Sequence, residues 1–124
     1  MIRIDFELAL KLHTLLTSET GGDDGLREAG LLDGALNMPY QTFGGIELYP
    51  SAEEKAARLG HSLIANHAFV DGNKRIGMFL MLIFLRLSGV SFEPTVDEVA
   101  RVGFAVAKGE MDYEDLLKWI RGDK

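Results

Sequence analysis

The stretch His67-Ala68-Phe69-Val70-Asp71-Gly72-Asn73-Lys74-Arg75-Ile76-Gly77-Met78-Phe79-Leu80-Met81-Leu82-Ile83-Phe84-Leu85-Arg86-Leu87 decides how this chain folds. From Ile76 onward it is apolar almost all round a helix, and a helix without a wet face belongs in the middle of a small protein. Its first residues set an imidazole, a carboxylate, an amide and two cations where that helix begins, near Gly72 or Asn73. The unpaired N–H groups and positive dipole end of a helix N-terminus attract a phosphate, and Asn73, Lys74 and Arg75 add side-chain donors there. His67 is the candidate base. Asp71 is the candidate ligand for a magnesium ion, because one carboxylate leaves a hard cation free to complete its shell with phosphate oxygens and water.

Outward from this stretch the other helices follow from periodicity and caps. Ile4, Leu8, Leu12, Leu15 and Leu16 predict a helix over 4–18, ended by Thr20-Gly21-Gly22-Asp23-Asp24-Gly25. Leu26, Leu31, Leu32, Leu36 and Met38 suggest one or two short helices stopped before Pro39. Residues 43–50 hold too many glycines for a helix and read as an irregular loop or small hairpin-like flap. Ser51 with Glu54 forms a capping box for a long helix to about Asn66, with Glu53, Glu54 and Lys55 as its charged first turn. Ser88-Gly89 ends the central helix, Thr95 with Glu98 caps a helix over 96–107, and Asp112 caps a last one carrying Leu116, Leu117, Trp119 and Ile120. The fold class is all-α, about six helices around a buried central one, in a single domain over 1–124.

Composition narrows the function classes. The 124 residues suffice for a core without disulfides, and the absence of cysteine removes thiolate chemistry and cysteine zinc sites. No apolar run is long enough to span a bilayer, so the expected location is cytoplasmic with no membrane partner. With 19 acidic and 13 basic residues the net charge is −6, which opposes direct binding of nucleic acid. Lys74 and Arg75 stand against that field, in the helical turn where the dipole disfavours cations by a few tenths of a kcal/mol each; a bound anion accounts for them.

Taken singly, these residues have plainer readings. His67 suits a helix-end histidine bonded to a carbonyl, and Asp71-Gly72-Asn73 suits a turn with an N-cap. Phe69 reads as a buried peg that supports the loop. His13 and His61 read as structural, the latter having no familiar ligand spacing to His67. Arg27 and Glu28 read as a helix-start ion pair or as part of the site rim, and Gly44-Gly45 lacks the lysine and hydroxyl of a phosphate-binding loop.

The run His67 to Arg75 resembles the signature of the Fic and Doc superfamily, His-Pro-Phe-x-Asp/Glu-Gly-Asn-Gly-Arg-x-x-Arg, and most of all its Doc (death-on-curing) branch, with Lys74 in place of the second glycine and Met78 in place of the last arginine. The segments Gly25-Leu26-Arg27, Thr42-Phe43-Gly44-Gly45, Leu48-Tyr49-Pro50 and Glu54-Lys55-Ala56 extend the resemblance over nearly the whole chain. It implies a compact Fic/Doc-type fold in which His67 is the base, Asp71 the Mg²⁺ ligand, Gly72 the tight-turn residue, and Asn73 and Arg75 phosphate donors. Lys74 fills space that glycine leaves open, which disfavours an adenylyl-transferring pose and places a further cation in the catalytic set.

The Doc branch implies a toxin of a toxin–antitoxin system that transfers the γ-phosphoryl group of ATP to a threonine or serine hydroxyl, with elongation factor Tu as target and inhibition of translation as outcome. It also implies a cognate antitoxin whose disordered tail folds over the site. Adenylyl, other nucleotidyl or phosphocholine-type transfer, and a catalytically silent module that binds anion and antitoxin, are the alternatives. Two departures bear on phosphate binding: Met78 removes one motif arginine, and Ala65 stands where Doc presents another.

Overall fold

The computed structural model describes residues 2–122, which form six α-helices and one small hairpin. These are α1 (Phe6–Thr20), α2 (Ala29–Asn37), β1 (Thr42–Phe43), β2 (Ile46–Glu47), α3 (Ala52–Ala65), α4 (Asn73–Leu87), α5 (Val96–Ala107) and α6 (Tyr113–Arg121). The class is mostly α, as the periodicity requires, and the glycine-rich segment is a hairpin with Thr42 opposite Glu47 and Phe43 opposite Ile46.

The caps lie where the sequence places them. Ser51 Oγ accepts from Glu54 N–H while Glu54 returns a carboxylate oxygen to Ser51 N–H, both at 3.1 Å. Thr95 with Glu98, and Asp112 with Asp115, repeat the reciprocal pair. Hydrogen bonding to the Thr95 and Asp115 backbone holds the Glu98 and Asp112 carboxyls below their ordinary pKa values.

Two boundaries differ from expectation. The first helix begins after Asp5, whose side chain caps Leu8 N–H, and runs to Thr20, so Ile4 is buried ahead of the helix rather than on it. After α2 the chain makes one 3₁₀ turn, Met38–Tyr40, that contains Pro39. Proline lacks an N–H to give, and a first-turn position asks none of it.

The α3–α4 pair is the centre of the molecule. Ile76, Leu80, Met81, Phe84 and Leu85 of α4 pack against Ala56, Leu59, Leu63 and Ile64 of α3, all buried. Small residues set the approach. A Cβ on Gly77 would stand 2.6 Å from Ile64 Cγ1 and 3.1 Å from the Gly60 carbonyl oxygen, and one on Gly60 would meet Met81 Sδ at 3.0 Å.

The central helix is less enclosed than its composition suggests. Phe79 and Arg86 are exposed and Leu82 and Ile83 half-buried, because neither α1 nor the segment from Ser88 to Thr95 covers this strip. An apolar groove of about 510 Å³ results, walled by Leu16, Met78, Phe79, Leu82, Val96 and Val99. Lys55, in the charged first turn of α3, is completely buried. Its ammonium donates to Glu47 Oε1 at 2.8 Å and to the Tyr49 carbonyl, which ties the hairpin to α3.

The glycines give a test of this packing. Gly77→Ala should lower stability by about 1–3 kcal/mol through the forced displacement of Ile64 and the α3 backbone. Gly30→Ala and Gly34→Ala on α2, where a Cβ meets nothing within 4 Å, should each raise stability by about 0.5–1 kcal/mol. Urea unfolding of the three variants measures both effects.

Candidate active site

The loop between α3 and α4 is held from three sides. On the first, residues 25–28 pair with it: Arg27 and Glu28 N–H both donate to the Ala68 carbonyl (2.8 and 3.1 Å), and Val70 N–H donates to the Gly25 carbonyl (3.0 Å). The Arg27 guanidinium reaches the His67 and Asn66 carbonyls at 2.8 and 3.3 Å. Arg27 therefore forms no helix-start pair with Glu28; it grips the backbone of the candidate base.

On the second side, Asn73 closes the loop from within. Its Oδ1 accepts Phe69 N–H at 3.0 Å and its Nδ2 donates to the Phe69 carbonyl at 2.9 Å, both buried. The side chain expected to donate to phosphate thus has its amide committed to Phe69, because a buried peptide group left unpaired costs about 1–3 kcal/mol. What Asn73 can offer an anion is its backbone N–H in the first turn of α4.

His13 supplies the third side. This fully buried histidine stacks on the Phe69 ring, 3.6 Å between centroids and 13° from parallel, and its Nε2–H donates to the Asp71 carbonyl at 2.6 Å. Phe69 is buried by this stack and holds the loop on α1. Since a carbonyl only accepts, Nε2 carries the proton, and Nδ1 is left without a partner.

Glycine is required at Gly72, and at Gly22 an added Cβ would make the exposed Asp71 carboxylate turn aside. Gly72 has φ +78°, and a Cβ there would lie 3.2 Å from His13 Nε2; a Cβ on Gly22 would lie 2.8 Å from Asp71 Oδ2.

The functional groups project outward from this frame. His67 is exposed and sits at φ +54°, the one non-glycine residue with positive φ among the described residues. That conformation costs about 1 kcal/mol or more for an L-residue, and strain of this kind concentrates at functional sites. Asp71 is exposed, with Oδ1 accepting Gly72 N–H at 2.8 Å. Arg75 is exposed and leans back to donate to Thr20 Oγ1 at 3.2 Å. Lys74 runs along α5 past Gly103, where a Cβ would be 3.1 Å from Lys74 Cγ. His67, Asp71, Gly72, Asn73, Lys74 and Arg75 all line one cleft of about 370 Å³, closed on its far wall by Phe104 and Ala107 of α5.

Three participants were not assigned a place in the site by sequence reasoning. Gly22 and His13 carry no local signal, since their role exists only where α1 meets a loop far along the chain. Phe104 did carry one: Arg101 and Lys108, three residues before it and four after it, share its face of a helix. His61 lies apart, accepting at Nδ1 from Arg58 at 2.7 Å, and burial together with the Arg58 charge lowers its pKa. No group of three or more His, Cys, Asp or Glu residues could hold a metal among the described residues, and Asp71 stands without two further such side chains to share an ion.

The sequence comparison gives this helical frame a family. The Fic/DOC family model covers residues 3–85, and the chain belongs to that family. It is similar to the Toxin Doc of Mycolicibacterium smegmatis (strain ATCC 700084 / mc(2)155), with 43% identity over 104 residues, 82% of this chain and 80% of that protein. Among the described residues no helix is long and apolar enough to cross a membrane.

Two substitutions separate frame from function. Asn73→Ala should lower stability by about 2 kcal/mol, since both Phe69 peptide groups lose their partner. His67→Gly should raise it by about 1 kcal/mol by relieving the positive φ. Urea unfolding of both variants at neutral pH reads the two opposite signs.

Proposed function

We propose that this chain is a Doc-like toxin that transfers the γ-phosphoryl group of ATP to a serine or threonine hydroxyl of a protein, with elongation factor Tu as the target and arrest of translation as the effect. The observation that carries this reading is the strained, exposed His67, clamped through its own carbonyl by Arg27 at the mouth of a cleft whose floor is the N-terminus of α4. The similarity to Toxin Doc supports the toxin part of it.

In this arrangement the acceptor hydroxyl comes within about 3 Å of a His67 ring nitrogen, which takes its proton as the oxygen attacks the γ-phosphorus and the bond to the β,γ-bridging oxygen breaks, releasing ADP. The N–H groups at the start of α4, with Lys74 and Arg75, neutralise charge on the transferring phosphoryl. Asp71 would hold Mg²⁺ against the nucleotide phosphates, where the ion offsets their charge and orients them. Lys74 favours phosphoryl over adenylyl transfer, because its side chain occupies the α5 side of the cleft, where a glycine would leave room.

The apolar groove beside the site suits the partner of a toxin. It runs from Leu16 past Phe79 and Leu82 to Val96 and is bordered at one end by Lys74 and Arg75. An amphipathic helix folded from an antitoxin tail, apolar toward Phe79 and acidic toward the two cations, would cover the groove and block the cleft.

Intact-mass analysis of elongation factor Tu after incubation with the chain, ATP and Mg²⁺ tests the reading. One phosphate should be added by the wild type, with the rate lowered about 10²-fold or more in His67→Ala while the unfolding midpoint of that variant stays unchanged. An added AMP would place the chain among the adenylyl-transferring enzymes instead. An unmodified factor that still binds an antitoxin-like tail would make the chain a silent binding module.

A further inference from the structure

Phe104 is more than half exposed on α5, yet it forms a wall of the cleft that holds His67, Asp71 and the start of α4. On its other side lies a second hollow of about 500 Å³, lined by Lys74, Arg101, Phe104, Lys108 and Glu110 with two alanines. Two ammonium groups converge on the ring: Lys74 Nζ is 5.3 Å and Lys108 Nζ 5.1 Å from its centroid. Glu110 neutralises Lys108, which leaves the Lys74 ammonium, with no ion-pair partner among the described residues, as the cation an anion in the cleft would meet, and an aromatic ring left in water beside it contributes nothing to the core.

We infer that Phe104 is the platform on which the base of the nucleotide donor stacks, with Lys74 on the phosphates between the ring and α4. The inference rests on the proposed reading of the cleft as a phosphoryl-donor site and adds to it the residue that binds the base. A polyanion carrying a flat π-system is the one ligand class that uses the ring, the Lys74 ammonium and the helix N-terminus together.

The lining also determines how selective that platform is. No asparagine, glutamine, serine or threonine lines either hollow except Asn73, whose amide is committed to Phe69. Glu110 pairs with Lys108 at 3.1 Å. With no free amide or hydroxyl to read the edge of a base, and with Arg101 finding the N7 acceptor that both purines carry, stacking recognises either purine, and the chain accepts ATP and GTP alike.

Calorimetric titration of the full chain with ATP, GTP and inorganic tripolyphosphate in the presence of Mg²⁺ tests this. ATP and GTP should bind within about threefold of each other, and both roughly tenfold or more tighter than tripolyphosphate, the margin that one stacked base supplies. Phe104→Ala should erase that margin while leaving tripolyphosphate affinity unchanged, and Phe104→Trp should restore it; an exposed side chain can be exchanged without loss of the fold. Wild-type binding of tripolyphosphate as tight as ATP, a margin that survives Phe104→Ala, or a hundredfold preference for ATP over GTP would each overturn the platform and leave the phosphoryl-donor reading standing. Failure of the wild type to bind any of the three would overturn both.

Discussion

The two hydrogen bonds between the Asn73 amide and the Phe69 peptide groups are the constraint on which the site depends. The loop from Asn66 to Gly72 must leave α3, reverse, and deliver its last residue to the start of α4, with Ala68 and Phe69 sealed in the core. A peptide carried that deep needs partners for its N–H and C=O, and here one side chain at the first position of α4 supplies both. The same bonds fix where α4 begins relative to His67. His13 and Arg27 act on the same loop from opposite sides, one on the Asp71 carbonyl from beneath, the other on the His67 carbonyl from outside. Stability is thus concentrated in the backbone of the loop, and the side chains of His67, Asp71 and Lys74 are left free for chemistry.

Electrostatics explains why the frame is built so firmly. The N-terminus of α4 carries no acidic residue in its first turn, whereas α3, α5 and α6 each carry two. Those three helices satisfy their dipoles and their first N–H groups internally through capping boxes. The fourth instead begins at a glycine that has no side chain to cap with, followed by two cations, so its donors face the cleft. α2 also begins without an acidic residue or a side-chain cap, so what sets α4 apart is the pair of cations in its first turn.

The hairpin illustrates a different use of a buried charge. Phe43 and Ile46 are exposed on two-residue strands that bury nothing themselves, and such a hairpin has little stability alone. The Lys55 ammonium reaches from the core of α3 to Glu47 and the Tyr49 carbonyl, which anchors the hairpin at its base and leaves its tip free.

Helix number and order, and most helix ends, were legible in the sequence because they are set locally: apolar spacing, two reciprocal caps with Asp112 as a further N-cap, and glycines after the last turns. The position of the site was legible for the same reason, since a histidine, a carboxylate and two cations at the entry to the most apolar helix are neighbours in the chain as well as in space. The division of labour within the motif was not. Asn73 reads as a phosphate donor until burial commits its amide to Phe69. Arg27 reads as a helix-start or rim residue until the chain reversal brings it to the His67 carbonyl, and Lys55 reads only as one charge of a helix's first turn until the hairpin folds over it. Phe104 joins the cleft only when α5 packs beside α4. By itself the sequence determined which residues could do chemistry and where helices start and stop. Tertiary structure alone decided which of them are spent on holding the backbone and which remain exposed, because that depends on contacts between segments far apart in the chain and on the cost of leaving a buried polar group unpaired.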